Sequence, residues 1–156
     1  MEIERKFTVK SIPEDIDSYE SILMEQAYLC TDPVVRIRRE NDRYVLTYKG
    51  SGLMAREEYN LPLNESAFLH LLPKADGVIV RKRRYLIPEK DGLTIELDVF
   101  KEPLELIMAE VEFSSVEEAD AYIPPKWFDR DVTNDPDYHN SNIASGRSGL
   151  IKRLQT

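Results

Sequence analysis

Cysteine occurs once in the 156 residues, as Cys30. An internal disulfide is excluded, and so is a metal site built from several thiolates. No segment approaches the apolar length of a membrane-spanning helix. Positive charge is not in excess. The 21 Lys and Arg stand against 29 Asp and Glu, a formal net charge of -8, which argues against a long basic surface for duplex nucleic acid. Met1 to Lys10 alternates charge with bulk and has no apolar signal-peptide centre. With the lone thiol, this makes the cytoplasm the expected compartment and a membrane partner unexpected. Ser, Cys and His form no recognisable nucleophilic triad. His70 lies in an apolar helical stretch where packing is expected, and His139 is read as a surface residue.

What is present is globular and highly charged, 42% hydrophobic and 32% charged. The length fits one domain, residues 1–156, and no repeat, low-complexity tract or linker divides it. The dominant period is two. Strands are expected over Glu2–Val9, Gln26–Leu29, Val34–Glu40, Arg43–Lys49, Arg56–Leu61, Val78–Ile87, Leu93–Phe100 and Leu106–Phe113, each with β-branched or aromatic residues. Asn41-Asp42 and Asp91-Gly92 suit tight turns between antiparallel strands. Helices are few. Asn64 caps one running to Leu72, Ser115 caps one running to Tyr122, and a short one lies near Asn140–Ser145. Lys126–Asp137 reads as an ordered loop anchored by Trp127 and Phe128. The fold class is mainly β (α+β).

Residues i and i+2 of a strand share a face. Glu2, Glu4 and Lys6 share one, opposite Ile3 and Phe7. The pattern recurs in Arg36 with Arg38, Lys82 with Arg84, Glu96 with Asp98, and Glu110 with Glu112. For any one strand, exposed charge is the ordinary explanation. Across all strands, acidic pairs on some and basic pairs on others, each backed by a bulky apolar face, point to a barrel turned inside out. Its apolar face would pack against helices and its charged face would line a tunnel. Such an interior must hold water, metal and a charged ligand, because dry charges would be too costly. Carboxylates suit magnesium or manganese. Arginine forks and lysines suit phosphate oxygens.

The opening Glu2-Ile3-Glu4-Arg5-Lys6-Phe7 resembles the Glu-x-Glu-x-Lys signature of the CYTH, or triphosphate tunnel metalloenzyme, superfamily. Further segments follow in the family's order, among them Val35-Arg36-Ile37-Arg38, Thr47-Tyr48-Lys49-Gly50, Arg56-Glu57-Glu58-Tyr59, Arg81-Lys82-Arg83-Arg84-Tyr85, Glu96-Leu97-Asp98-Val99-Phe100, Glu110-Val111-Glu112-Phe113 and Tyr138–Ala144. The resemblance covers nearly the whole chain and is nearest the short, single-domain bacterial members. It implies an eight-stranded antiparallel β-barrel tunnel with a few flanking helices. It assigns metal binding to Glu2, Glu4, Glu110 and Glu112, with Glu96 and Asp98 added, and phosphate binding to Lys6, Arg36, Arg38, Lys49, Lys82 and Arg84. Glu58 matches an inward acidic position. Lys6, Glu58 and Lys82 are the residues expected to act on the reacting phosphate.

The implied activity is divalent-metal-dependent hydrolysis of a small triphosphate with magnesium or manganese as cofactor. Inorganic tripolyphosphate comes first and nucleoside triphosphates second. Two alternatives are an adenylate cyclase of the same fold, which needs an adenine pocket, and a non-catalytic polyphosphate-binding module, which would not need so many acids. The oligomeric state is not legible.

Overall fold

A computed structural model of the chain describes residues 1–145 and 148–150. Residues 146–147 and 151–156, the end of the expected domain, lie outside the described residues. The strands are β1 (Glu2–Val9), β2 (Glu20–Thr31), β3 (Val34–Glu40), β4 (Arg43–Lys49), β5 (Ala55–Arg56), β6 (Glu58–Leu63), β7 (Val80–Pro88), β8 (Thr94–Glu102), β9 (Leu106–Phe113) and β10 (Phe128–Asp131). The helices are α1 (Glu65–Leu71), α2 (Val116–Ala121) and α3 (Asn140–Ser145). Caps and turns follow the local chemistry. The Asn64 side chain accepts from Ala67 N and that of Ser115 from Glu118 N. Asn41, Asp91 and Gly92 take φ of 53°, 59° and 72° at the two tight turns, a backbone region that short polar residues and glycine tolerate.

The strands join in the order β10-β1-β9-β8-β7-β2-β3-β4-β6, every pairing antiparallel. The sheet curls until β6 comes round to β1, and β5 joins them by pairing Glu2 with Arg56 and Ile3 with Ala55. Along the rest of that edge, Glu4 N donates to Met54 O, Lys6 N to the Thr133 hydroxyl, and β10 pairs with Phe7 and Val9. The barrel is thus nearly closed. Ten strands take part where eight were expected. β5 closes the seam, and β10 lies inside the segment expected as a loop, its anchor Phe128 packed on Phe7 at 4.8 Å between ring centroids. β2 runs from Glu20 to Thr31, far beyond the expected Gln26–Leu29, because it pairs with β7 along its first half and β3 along its second.

The apolar faces point outward. Ile3, Phe7, Ile95, Leu97, Val111 and Phe113 pack under Ala119 and Tyr122, at and just beyond α2, and under Phe128. Ala27 and Ile37 pack under Phe68 of α1. The interior itself has two layers. Tyr28, Val34, Val80, Phe100 and Met108 share strand faces with the charged residues but form an apolar cluster with Tyr138, Ile143 and Ala144. This cluster is a dry floor at one end of the barrel, and the charged chamber lies above it.

Candidate active site in the barrel interior

A cavity of about 220 Å³ occupies the chamber, lined by seven acidic and seven basic side chains with a few polar and apolar ones. The signs are sorted by strand. One wall is acidic. On it Glu4 of β1 lies directly opposite Glu112 of β9, and Glu96 of β8 opposite Glu110 of β9. Like charges facing across neighbouring strands are destabilising. The opposite wall is basic, with Arg36 and Arg38 on β3 and Arg43 and Lys49 on β4.

Internal ion pairs offset part of this charge. Lys49 Nζ donates to both Glu2 oxygens at 2.7 and 2.9 Å, and Arg56 Nε stands 3.7 Å from Glu2. Lys6 Nζ lies 3.9 Å from Glu4 and 3.8 Å from Glu110. Arg84 pairs with Glu96, and its Nη2 is 3.6 Å from Glu110. The compensation is incomplete. Among the described residues, Arg36 Nε, Glu58 Oε2 and Glu110 Oε1 are buried with no hydrogen-bond partner. Burial, with repulsion from Arg36 and Arg84, lowers Arg38 to about 10. Burial and the charges of Glu2, Glu96, Glu58 and Glu4 push Glu112 up to about 7. Burial raises Glu4, Glu2 and Glu96 as well, with further carboxylates adding to it. Glu110 goes the other way: against its burial, Lys6, Arg84 and Lys82 hold it well below the carboxylate range. Each wall is thus short of opposite charge. A divalent cation bound to a polyphosphate supplies both signs at once.

Most of the expected residues converge here. Glu2, Glu4, Lys6, Arg36, Arg38, Lys49, Glu58, Arg84, Glu96, Glu110 and Glu112 all line the cavity. Lys82 and Asp98 do not. They are 1% and 0% exposed and lie below the chamber. Asp98 accepts from Lys82 Nζ at 2.7 Å and from Arg84 Nε and Nη2 at 2.7 and 2.9 Å. In this structure its oxygens hold those cations, and Asp98 supports Arg84 from outside the cavity lining. Lys82 is likewise turned to Asp98 and sits 4.9 Å from the centre of the Phe100 ring. Burial outweighs Asp98 and lowers its ammonium to about 8. His139 also departs from expectation. It lines the cavity, its Nε2 is 3.1 Å from Thr133 O, and burial, aided by Lys6, lowers its pKa. His70, expected to pack, is exposed.

Sequence reading missed Arg43, Thr47, Arg56 and Asn60, which also line the cavity. Alternation held the signal for all four. Arg43 and Thr47 share a parity with Lys49, and Arg56 and Asn60 share one with Glu58.

The carboxylates fit a hard divalent cation by chemistry, since Glu110 keeps an unpartnered oxygen on the acidic wall. As the side chains stand, no group of three or more Asp, Glu, His or Cys among the described residues is gathered tightly enough to hold a metal. Lys49, Lys6 and Arg84 draw Glu2 and Glu110 aside.

Comparison with known proteins agrees with this geometry. A CYTH domain model matches residues 1–122. The chain is 39% identical over 147 residues to an inorganic triphosphatase of Nitrosomonas europaea, covering 92% of this chain and 96% of the relative. It is 36% identical over 154 residues to an inorganic triphosphatase of Acetivibrio thermocellus, covering 92% of each. A solved inorganic triphosphatase structure superposes with a TM-score of 0.68 at 36% identity, covering 93% of this chain and 95% of the other. A Hippeastrum protein described as an adenylyl cyclase with dominant triphosphatase activity superposes at 0.58 over 77% of this chain and 83% of its own. At 17% identity, it shares the fold alone.

Proposed function

The chain belongs to the CYTH domain family, and on that premise we propose that it hydrolyses inorganic tripolyphosphate in the barrel chamber, releasing phosphate and pyrophosphate. The observation that carries the reading is the pair of opposed walls, each short of opposite charge, in a cavity too small and polar for much besides a phosphate chain. Relatives over 92% of the chain are inorganic triphosphatases, and enzymes of this kind break phosphoanhydride bonds. No helix among the described residues is long and apolar enough to cross a membrane, and we propose the cytoplasm as the site of action.

Phosphoryl transfer asks a protein for positioning and charge neutralisation more than covalent chemistry. Arg36, Arg38 and Lys49 hold the phosphate chain on the basic wall. Lys6 and Arg84 neutralise charge on the transferred and leaving groups. Lys82 and Asp98 act one step back, fixing the Arg84 fork. Glu58 orients the attacking water. Magnesium or manganese would sit against Glu2, Glu4, Glu112, Glu110 and Glu96, where it supplies Lewis-acid stabilisation to the phosphate oxygens. With the carboxylates so engaged, Lys49 and Lys6, which pair with Glu2 and Glu110 here, would be available to the substrate.

One panel tests this. Purified protein is assayed with tripolyphosphate in chelated buffer and with magnesium or manganese, beside Glu4→Gln. The expected result is turnover only with added metal, and a loss of at least about a hundredfold in the variant with unchanged circular dichroism. Full turnover in chelated buffer would overturn the metal assignment. Absence of turnover by the wild type under every metal would overturn the activity.

A further inference from the structure

One hydrogen-bonded chain in the chamber is built from two uncharged side chains and ends on a carboxylate. Thr47 on β4 and Asn60 on β6 are directly opposed across the strand pair, as are Lys49 and Glu58 two residues on. The Thr47 hydroxyl donates to Asn60 Oδ1 at 2.6 Å. The Asn60 amide donates to Glu58 Oε1 at 2.7 Å. Thr47 is 2% exposed. The order of donors has a physical consequence. An asparagine amide can present either its oxygen or its nitrogen to a neighbour. A hydroxyl donating to Oδ1 leaves Nδ2 as the group facing the carboxylate, so Asn60 must donate a hydrogen bond to Glu58. The flipped amide would set an oxygen against a carboxylate and leave the hydroxyl donor facing an NH₂ group.

With Oε1 tied to Asn60, Oε2 is the atom left over. It is buried, has no N–H or O–H donor among the described residues, lies 3.7 Å from Lys49 Nζ, and belongs to a carboxylate that stands against that of Glu2. Lys49 in turn holds Glu2. One carboxylate oxygen is therefore clamped and the other is presented beside the lysine that reaches the acidic wall. A carboxylate needs that asymmetry to align a water molecule, since a freely rotating one offers its acceptors in many directions.

We infer that Thr47 and Asn60 are positioning residues for the triphosphatase reaction: they hold Oε1 and so fix the Glu58 carboxylate in the chamber lining, where Oε2, covered by the Lys49–Glu2 pair in the ligand-free protein, becomes the acceptor for the attacking water once Lys49 turns to the phosphate chain. The inference rests on the triphosphatase reading and adds two residues to it. Neither touches the reacting phosphate. Both act through Glu58, and their loss falls on kcat, with binding of the phosphate chain left to the basic wall.

The test uses the full-length protein, tripolyphosphate and the activating metal. Thr47→Val keeps the shape and removes the hydroxyl; Thr47→Ser keeps the hydroxyl. Asn60→Asp replaces the amide donor by a second carboxylate. Thr47→Val is expected to lower kcat roughly fivefold, the worth of one hydrogen bond, with KM and melting temperature close to wild type. Thr47→Ser recovers most of that loss. Asn60→Asp lowers kcat further, by at least about tenfold, because it breaks the clamp and adds repulsion. In a Glu58→Gln background, Thr47→Val produces no further loss, since the group it positions has gone. An unchanged kcat in both Thr47→Val and Asn60→Asp overturns the inference, as does a loss in Thr47→Val that appears in KM alone or that Thr47→Ser does not recover. An inactive wild type would overturn the triphosphatase reading itself, so the two failures are distinguishable.

Discussion

Arg36 and Arg38 stand on one wall with few internal anions to satisfy them. Arg38 donates to Gln26 and lies 3.8 Å from Glu40, while Arg36 Nε has no partner among the described residues. Their repulsion is a cost of the ligand-free state that a phosphate chain removes. Arg36→Ala and Arg38→Ala are each expected to weaken binding of a slowly hydrolysed imido analogue by roughly 1.5–3 kcal/mol, about ten- to a hundredfold. The melting temperature should hold or rise. Calorimetric titration beside thermal melts measures both, and unchanged affinity in both variants would remove β3 from the binding wall. Glu112 supplies the matching prediction on the acidic wall. Its folded pKa of about 7 exceeds the unfolded value near 4.5, so the folded state binds more protons between those values. The penalty is absent below the lower value, grows through the window and is full above pH 7. Glu4, Glu2 and Glu96 shift in the same direction. His139, whose pKa is lowered, opposes them below pH 6.5. Metal-free protein should therefore lose melting temperature from pH 5 to pH 8 more steeply than Glu112→Gln does. Parallel melting curves for the two proteins would discount the shift. The inward parity of these residues was legible in the sequence, because alternation fixes it; which of them face each other across strands was not, since that is set by register. Nor was the fate of Lys82 and Asp98. Parity sends both inward, but depth along the barrel depends on strand stagger, and stagger put them beneath the chamber.

At the scale of elements, the strands with strict alternation were read to within two or three residues, and those whose pairing is set by distant partners were not. β2 begins with Glu20-Ser21-Ile22-Leu23, a stretch with no clear period, and is a strand because β7 runs beside it. β10 is four residues held by an edge. Phe128 reaches into the apolar layer outside the barrel, Lys10 N donates to Trp127 O, and Val132 N donates to Lys6 O. Such a strand has almost no local signature, since its stability lies in tertiary contacts. Phe128 is the residue on which it depends. Phe128→Ala is expected to cost roughly 3–5 kcal/mol by removing a buried ring from between Phe7 and Trp127. It lies outside the barrel wall, so KM for tripolyphosphate should stay within about twofold below the melting transition. Urea denaturation and steady-state kinetics on one preparation read both quantities. A large change in KM with little loss of stability would mean that β10 shapes the chamber and does not merely cover the β1 edge.

For the molecule as a whole, the overall charge of -8 conceals a chamber in which seven acids face seven bases, and this balance bears on substrate choice. A bare polyphosphate would meet as much repulsion as attraction, whereas a metal complex of it meets neither in excess. Almost all recognition open to the ligand is of phosphate and cation. A nucleoside needs an aromatic platform or convergent amides near its base, and Tyr44 and Tyr48 are placed elsewhere. Tyr44 packs on Phe68 at 5.2 Å and Tyr48 on Tyr59 at 6.0 Å, both on the outer face. Tyr28 lines the cavity from the apolar floor and is 2% exposed, its ring packed in that cluster. A nucleoside triphosphate therefore adds bulk with little compensating contact, and its transition state is bound less well than that of the bare chain. Tripolyphosphate is expected to have the higher kcat/KM, and ATP to give phosphate or pyrophosphate with no cyclic AMP. Specificity constants for the two substrates under the better metal, with cyclic AMP assayed directly, decide the ranking. A higher constant for ATP would mean that the rim near Arg43 and Asn60 grips the nucleoside. Cyclic AMP formed in step with pyrophosphate would mean that the ribose hydroxyl, and not water, is aligned on the phosphate chain.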